Sequence, residues 1–156
     1  MTQSREYLSF LLEDEEYGVH ILDVKEVRGW SDVRRIPNTL PHMLGVLERR
    51  GEYIPIMDIR QCFDMPPATI SATSVIIIVR SQQGVSLGIV VDAVAEVHNL
   101  EEQQIKDPPG LHHQDEWYME GIAAVNDRHL VLINLEQLFD FDQLQQSAQP
   151  ESANED

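Results

Sequence analysis

Gly45-Val46-Leu47-Glu48-Arg49-Arg50-Gly51-Glu52-Tyr53-Ile54-Pro55-Ile56-Met57-Asp58-Ile59-Arg60-Gln61-Cys62-Phe63 aligns without a gap on Gly121-Ile122-Ala123-Ala124-Val125-Asn126-Asp127-Arg128-His129-Leu130-Val131-Leu132-Ile133-Asn134-Leu135-Glu136-Gln137-Leu138-Phe139. Each copy reads as two short β segments around a polar turn, followed by a helical turn. Upstream, Tyr17-Gly18-Val19-His20-Ile21 through Val24-Lys25-Glu26-Val27 pairs in the same way with Leu87-Gly88-Ile89-Val90-Val91 through Val94-Ala95-Glu96-Val97. The two segments keep their order in both halves, so one unit was duplicated whole. A duplicated β unit without a duplicated catalytic residue reads as a scaffold with two related surfaces, an adaptor before an enzyme.

The chain has 156 residues, enough to bury a core as one domain or two small packed subdomains. Its formal net charge of −16 repels nucleic-acid phosphates and anionic lipid surfaces and favours partners with basic patches. Its own cations gather at Arg28, Arg34, Arg35, Arg49 and Arg50, a basic region that is either a docking surface or simply solvated. A single cysteine, Cys62, excludes an internal disulfide, and its repeat partner Leu138 suggests a small buried apolar residue. Residues 1–6 lack the apolar run of a signal peptide, and the longest apolar runs are too short to span a bilayer. A cytoplasmic protein is expected.

Tyr7 to Leu12 and Tyr17 to Ile21 predict an antiparallel strand pair, with Leu8, Phe10 and Leu12 on one face. Leu22 to Val27 fits a short helix or an irregular strand, and Val33 to Ile36 a short strand ended by Pro37. Asn38 to Met43 predicts one helical turn, and Arg60 to Phe63 another. Met65 to Thr73 connects the halves, and the second half repeats the plan with a longer loop before its hairpin. Glu136 to Leu144 predicts a terminal helix. Residues 145–156 are polar and acidic, and a disordered tail is expected there. Five short strands per half predict an all-β fold with short helices, built as two small barrels or curled sheets packed together around a groove.

No phosphate-binding glycine loop and no nucleophile elbow is present. His112-His113, with Asp107, Asp115 and Glu116 nearby, is the one group of metal-ligand type that the sequence singles out. Adjacent histidines in a loop rarely aim at one ion, so no metal and no cofactor are expected. His20 and His129 are expected to be half-buried structural residues. Arg49 is the anomaly. It aligns with Val125 and shares strand parity with Leu47, the parity that is apolar in the second half. It either snorkels at the strand end, pairs with a carboxylate such as Glu48 or Glu52, or faces a partner.

Glu15-Glu16-Tyr17-Gly18-Val19-His20-Ile21-Leu22-Asp23-Val24-Lys25-Glu26-Val27-Arg28-Gly29 resembles the opening signature of the CheW-type chemotaxis coupling proteins. So do Arg35-Ile36-Pro37-Asn38-Thr39, Gly45-Val46 through Arg50-Gly51, Ile54-Pro55-Ile56-Met57-Asp58-Ile59-Arg60 and Gly88-Ile89-Val90-Val91-Asp92. The resemblance implies a CheW-like domain over residues 5–144 made of two intertwined, five-stranded SH3-like β-barrels. The first repeat spans about 7–65 and the second about 74–140. It implies no enzymatic activity. It implies a coupling adaptor between chemoreceptor (methyl-accepting chemotaxis protein) tips and the regulatory domain of a CheA-type histidine kinase, in arrays on the inner face of the membrane. Carried over by position, Val24, Glu26, Val27, Gly45, Val46, Arg49, Arg50, Val75 and Leu87 would face the receptor. Lys106 and Leu111 would face the kinase. Where the family reads Asn-Leu-Arg-Gly, this chain reads Glu48-Arg49-Arg50-Gly51, which leaves open a specialised coupler of a pilus-type or other chemosensory pathway. The alternative of another class is a β-barrel enzyme or small-molecule or metal binder that uses His112 and His113.

Overall fold

The computed structural model describes residues 4–30, 33–34, 42–63, 65–67, 69–71, 73–107 and 118–148. The first repeat supplies β1 (Ser4–Leu12), β2 (Glu15–His20), β3 (Val24–Gly29), β4 (Met43–Arg49) and β5 (Glu52–Asp58), then helix α1 (Ile59–Cys62). The second supplies β6 (Val75–Arg80), β7 (Ser86–Val91), β8 (Ala93–Glu101), the short β9 (Ile105–Lys106), β10 (Met119–Val125) and β11 (Arg128–Ile133). Helices α2 (Leu135–Leu138) and α3 (Phe141–Ala148) follow.

The strands form two sheets, in the orders β8-β1-β2-β11-β10-β9 and β3-β6-β7-β5-β4. The sequence repeat equates β1 with β6, β2 with β7, β3 with β8, β4 with β10 and β5 with β11. Both sheets therefore share one plan: third strand, first, second, fifth, fourth. In each, the first and second strands come from one repeat and the other three from the other. The strand count alone suggested a small barrel or curled sheet per half, and the family resemblance implied intertwined barrels; in the structure the halves exchange a hairpin. The junctions are the two parallel pairings, β2 with β11 and β5 with β7. A duplicated glycine sits in each. Gly18 lies opposite Leu132, and Gly88 opposite Ile56. A Cβ at Gly88 would meet Ile56 Cδ1 at 2.5 Å, so the junction closes only where no side chain stands.

The alternation of the strands fills three apolar compartments. Tyr7, Leu100, Ala123, Leu130 and Leu132 fill the interior of the first barrel. Leu47, Ile54, Ile56, Ile76, Ile78 and Val90 fill the second. The opposite faces of the same strands meet in a larger core shared between the barrels, which includes Phe10, Leu12, Met57, Leu87 and Ile89. Buried apolar surface contributes roughly 25 cal/mol per Å², so this shared core is what prevents the barrels from separating.

Local chemistry sets the corners. Asp58 caps α1 by accepting the Arg60 amide at 3.1 Å, and its repeat partner Asn134 caps α2 through the Glu136 amide at 3.0 Å. Residues Ile21–Asp23 form a 3₁₀ turn, and the segment expected there as a helix or irregular strand continues as β3. Arg34 makes an isolated bridge to Val46 where a short strand was expected, and residues 35–41 lie outside the described residues. The expected terminal helix is broken in two. Asp140 accepts the Gln143 amide at 3.1 Å and so starts α3 afresh. Helix α3 then buries Phe141 and Leu144, and Gln145 Nε2 donates to the Tyr53 carbonyl at 3.0 Å. Residues 145–148, expected in the disordered tail, thus belong to α3, and residues 149–156 lie outside the described ones.

Candidate functional site

The carried-over residues do not form one continuous exposed face. Val24 and Val75 are half-buried against the shared core. Val27 pairs with Ile77, a residue of that core, yet is 44% exposed because β3 is the outer strand of its sheet. Val27 therefore carries the interbarrel apolar face out to the surface. Leu87, by contrast, is fully buried, and Val46 is 2% exposed. Leu87 is closed in because β7 is central and packed on both faces, and Val46 is buried on the outer strand β4, where Arg34 bridges to it. Both are corrected to core residues. Gly45 is also buried, for a backbone reason: a Cβ there would stand 2.2 Å from the Arg34 carbonyl oxygen. The residue keeps a path open for Arg34, which exchanges two 2.8 Å hydrogen bonds with Val46.

Arg49 resolves into an internal ion pair, with a partner other than those expected. Its guanidinium donates to Glu26 rather than to Glu48 or Glu52. Glu26 lies on β3 and Arg49 on β4, the two outer strands of one sheet, so the pair closes the barrel that this sheet forms. Arg28 stands 4.0 Å from the same carboxylate. Arg49 sits on the inward parity because this is the open end of the barrel, where charge replaces apolar filling. Arg50 is exposed at the β4–β5 turn with φ +54°, and Gly51 follows with φ +81°. At the equivalent turn, Asn126 and Asp127 hold φ +51° and +66°. Asn and Asp tolerate that region better than Arg does.

A second ionic brace fixes the corner beside α1. Arg60 donates from Nε and Nη2 to the two oxygens of Asp92, both at 3.0 Å, and from Nη1 to the Pro66 carbonyl. Asp92 also accepts the Glu13 amide at 2.7 Å. Burial alone would raise the Asp92 carboxyl, but the Arg60 fork and that amide outweigh it and hold it below the ordinary value. This brace ties the β1–β2 turn to the point where the chain crosses between sheets.

Two exposed apolar residues escaped the sequence reading. Val97 is 50% exposed and is the repeat partner of Val27, so the alignment that placed one already held the other. Leu22 is 89% exposed on the 3₁₀ turn, where the repeat has Asp92. Lys106 is exposed on β9, which pairs with β10 through Ile122 as Arg34 pairs with β4 through Val46. Leu111, His112 and His113 lie outside the described residues. His20 is half-buried as expected and contacts Glu120 at 3.0 Å, whereas His129 is exposed, because it stands at the start of the β11 edge of a turn. Cys62 is partly buried, and burial next to Asp58 pushes its thiol up to about 12.

The CheW-like domain model matches residues 6–143 of the chain. The chain belongs to the CheW-like family. It is 37% identical over 145 residues to the chemotaxis protein CheW of Klebsiella aerogenes, an alignment covering 92% of this chain and 86% of that protein. It is 35% identical over 136 residues to a probable chemotaxis protein CheW of Rhizobium etli, covering 86% and 87%. The crystal structure of the scaffolding protein TtCheW from Thermoanaerobacter tengcongensis superimposes with a TM-score of 0.80 at 34% identity, covering 88% of this chain and 94% of that one. Sequence and fold agree over nearly the full length, so the chain is a chemotaxis coupling adaptor of the CheW kind.

Proposed function

We propose that this CheW-like adaptor joins the cytoplasmic tips of chemoreceptors to the regulatory domain of a CheA-type histidine kinase, in arrays at the inner face of the membrane, without catalysing a reaction itself. The observation that carries this reading is the placement of Val27. An apolar side chain at the uncovered edge of the interbarrel core, with Val24 behind it and the Glu26–Arg49 pair beside it, suits an amphipathic helix laid across the edge. A few such anchors supply most of the docking energy, and charges at the rim orient the partner. Arg50 is the charge free to do so at the hairpin tip, and Lys106 offers a cation on the opposite barrel for the kinase. No helix among the described residues is long and apolar enough to cross a membrane.

The deciding experiment is co-sedimentation with receptor cytoplasmic fragments and the kinase, with kinase activity as the readout. Val27→Asp should weaken receptor association at least tenfold while the melting temperature stays near that of the parent. Val24→Asp should do the same less cleanly, since Val24 is half-buried. Unchanged association for Val27→Asp would remove β3 from the receptor surface.

A further inference from the structure

The repeat allows the two barrels to be compared position by position at one end of their interiors. In the β3–β4 barrel this end holds Glu26 with the guanidinium groups of Arg28 and Arg49. The equivalent end of the other barrel holds a different set. Glu96 on β8 takes the place of Glu26, and His98 that of Arg28. Glu16 on β2 stands where the repeat has Ser86, and Arg128 on β11 where it has Glu52. Over these equivalent positions one barrel end carries two carboxylates and two arginines, the other two carboxylates, one arginine and an imidazole.

The geometry of this second set is compact. His98 Nε2 lies 3.0 Å from Glu16 Oε2 and 3.7 Å from Glu96 Oε2. One ligand atom from each of the three residues fits within 4.8 Å of the others. A tetrahedral zinc ion with bonds of about 2.0–2.1 Å separates its ligand atoms by about 3.3 Å. The three side chains thus already stand close to one face of such a tetrahedron. Glu16 and His98 are buried, so their positions are fixed by the strands that carry them. Ser9, fully buried on β1 between them, holds β8 by donating to the Glu96 carbonyl at 3.0 Å and accepting its amide at 3.2 Å.

The geometry points to a divalent transition-metal site formed by Glu16, Glu96 and His98, with zinc as the ion that this nitrogen–oxygen set suits. Imidazole with two carboxylates fits zinc and not magnesium or calcium, which require more oxygen ligands. Arg128 occupies the place of the ion's charge, 3.3 Å from Glu16 and 3.7 Å from Glu96. Its side chain is 53% exposed, so it is free to swing into solvent when an ion enters. A fourth position then faces the barrel end and is open to water. The ion clamps β2 of the first repeat to β8 of the second, across the exchanged hairpin, and so stabilises the intertwined form.

The test is titration of untagged, chelator-dialysed full-length protein with zinc chloride, followed by calorimetry and by melting temperature. Cobalt(II) serves as a coloured probe of a tetrahedral site. Stoichiometric zinc should bind and raise the melting temperature. His98→Gln and, separately, Glu96→Gln should weaken binding at least tenfold and abolish the cobalt absorption. Glu96 is exposed, so the second variant keeps the test decidable if the first does not fold. Arg128→Ala is the sharpest arm. It removes the competing cation and should tighten zinc severalfold, whereas in a purely structural ion-pair cluster it would only lower the melting temperature. The inference is overturned if parent and Glu96→Gln bind zinc equally, if Arg128→Ala leaves zinc affinity unchanged or weaker, or if binding is lost only on replacing His112 and His113 by Asn.

Discussion

Replacing Gly45 by Ala is a test of how the outer strand β4 is covered. The added Cβ would stand 2.2 Å from the Arg34 carbonyl oxygen, 2.8 Å from its carbon and 3.1 Å from Val33 Cγ1. The first two are backbone atoms and have no rotamer by which to yield, so the segment around Arg34 must retreat from β4. Its two hydrogen bonds to Val46, both 2.8 Å, are then lost. At about 1 kcal/mol each they account for about 2 kcal/mol. Overpacking adds to this, and the usual gain of replacing a strand glycine by alanine offsets it in part, leaving a loss of roughly 2–3 kcal/mol. For a domain of this size that lowers the melting temperature by roughly 5–10 °C. The repeat supplies graded controls. At Gly121 the nearest atom is a side-chain methyl of Ile105, at 2.7 Å, with the Lys106 carbonyl oxygen at 3.0 Å, so Gly121→Ala should cost less. At Gly29 nothing lies within 4 Å, and Gly29→Ala should leave stability equal or slightly higher. Calorimetric melting gives the order, and amide exchange at Val46 reports the lost bridge. If Gly45→Ala melts with the parent while the Val46 amide stays protected, the steric account of this glycine is wrong.

Arg49→Leu and Glu26→Gln should each lower stability slightly, and a double-mutant cycle should return a coupling of about 0.5–1 kcal/mol, as for other partly exposed pairs; a coupling of zero would mean the pair does not form. Cys62, with its thiol pushed up to about 12, should react very slowly with a disulfide reagent at pH 8 in the folded protein and immediately in urea. Equal rates in the two would refute its burial. The hydrogen bond that His20 Nε2 donates to the Glu120 carboxylate raises His20 above its ordinary value, against the opposing effect of burial. The stability this contributes is fully present below the unfolded value of about 6.5 and lost as pH rises through the higher folded value, so the urea midpoint should fall as pH is raised above about 6.5, and less so in Glu120→Gln.

The hairpins and capped turns were legible because they are local. Gly51, the alternation of Tyr53 to Ile59 and the capping Asp58 specify their structure within a few residues, and the same signals recur at Asn126 to Leu135. The exchange of hairpins was not legible for a reason that follows from the duplication. The β2 strand can choose between the edges of β5 and β11, and their patterns are nearly the same. What decides is packing over more than a hundred residues, at Gly18 against Leu132, and no local period records it. The wrong placement of Leu87 has a related cause. Ser86 to Val91 is buried throughout, and a strand covered on both faces gives no alternation by which to choose the outward side. Arg49 was legible as an anomaly of parity, whereas its partner lies 23 positions away on a strand that is remote in the sheet order.

The exchange also bears on what an adaptor must do. If each repeat formed its own barrel, a partner pulling on one could rotate it against the other by sliding at their interface. Here each barrel contains strands of both repeats, so relative motion requires breaking the hydrogen bonds of β2 with β11 and of β5 with β7 together with the shared core. Strand ladders and a close-packed core resist such motion as a unit. The duplication then supplies two ends and two outer strands of equal geometry, at fixed separation, and divergence changes only their side chains. Val27 and Val97 keep the same apolar residue, whereas Arg28 has become His98 and Arg49 has become Val125. A rigid body whose two halves present the same shape with different charge can hold two different partners at once and keep their spacing constant. This is the mechanical requirement for the proposed coupling of a receptor to a kinase.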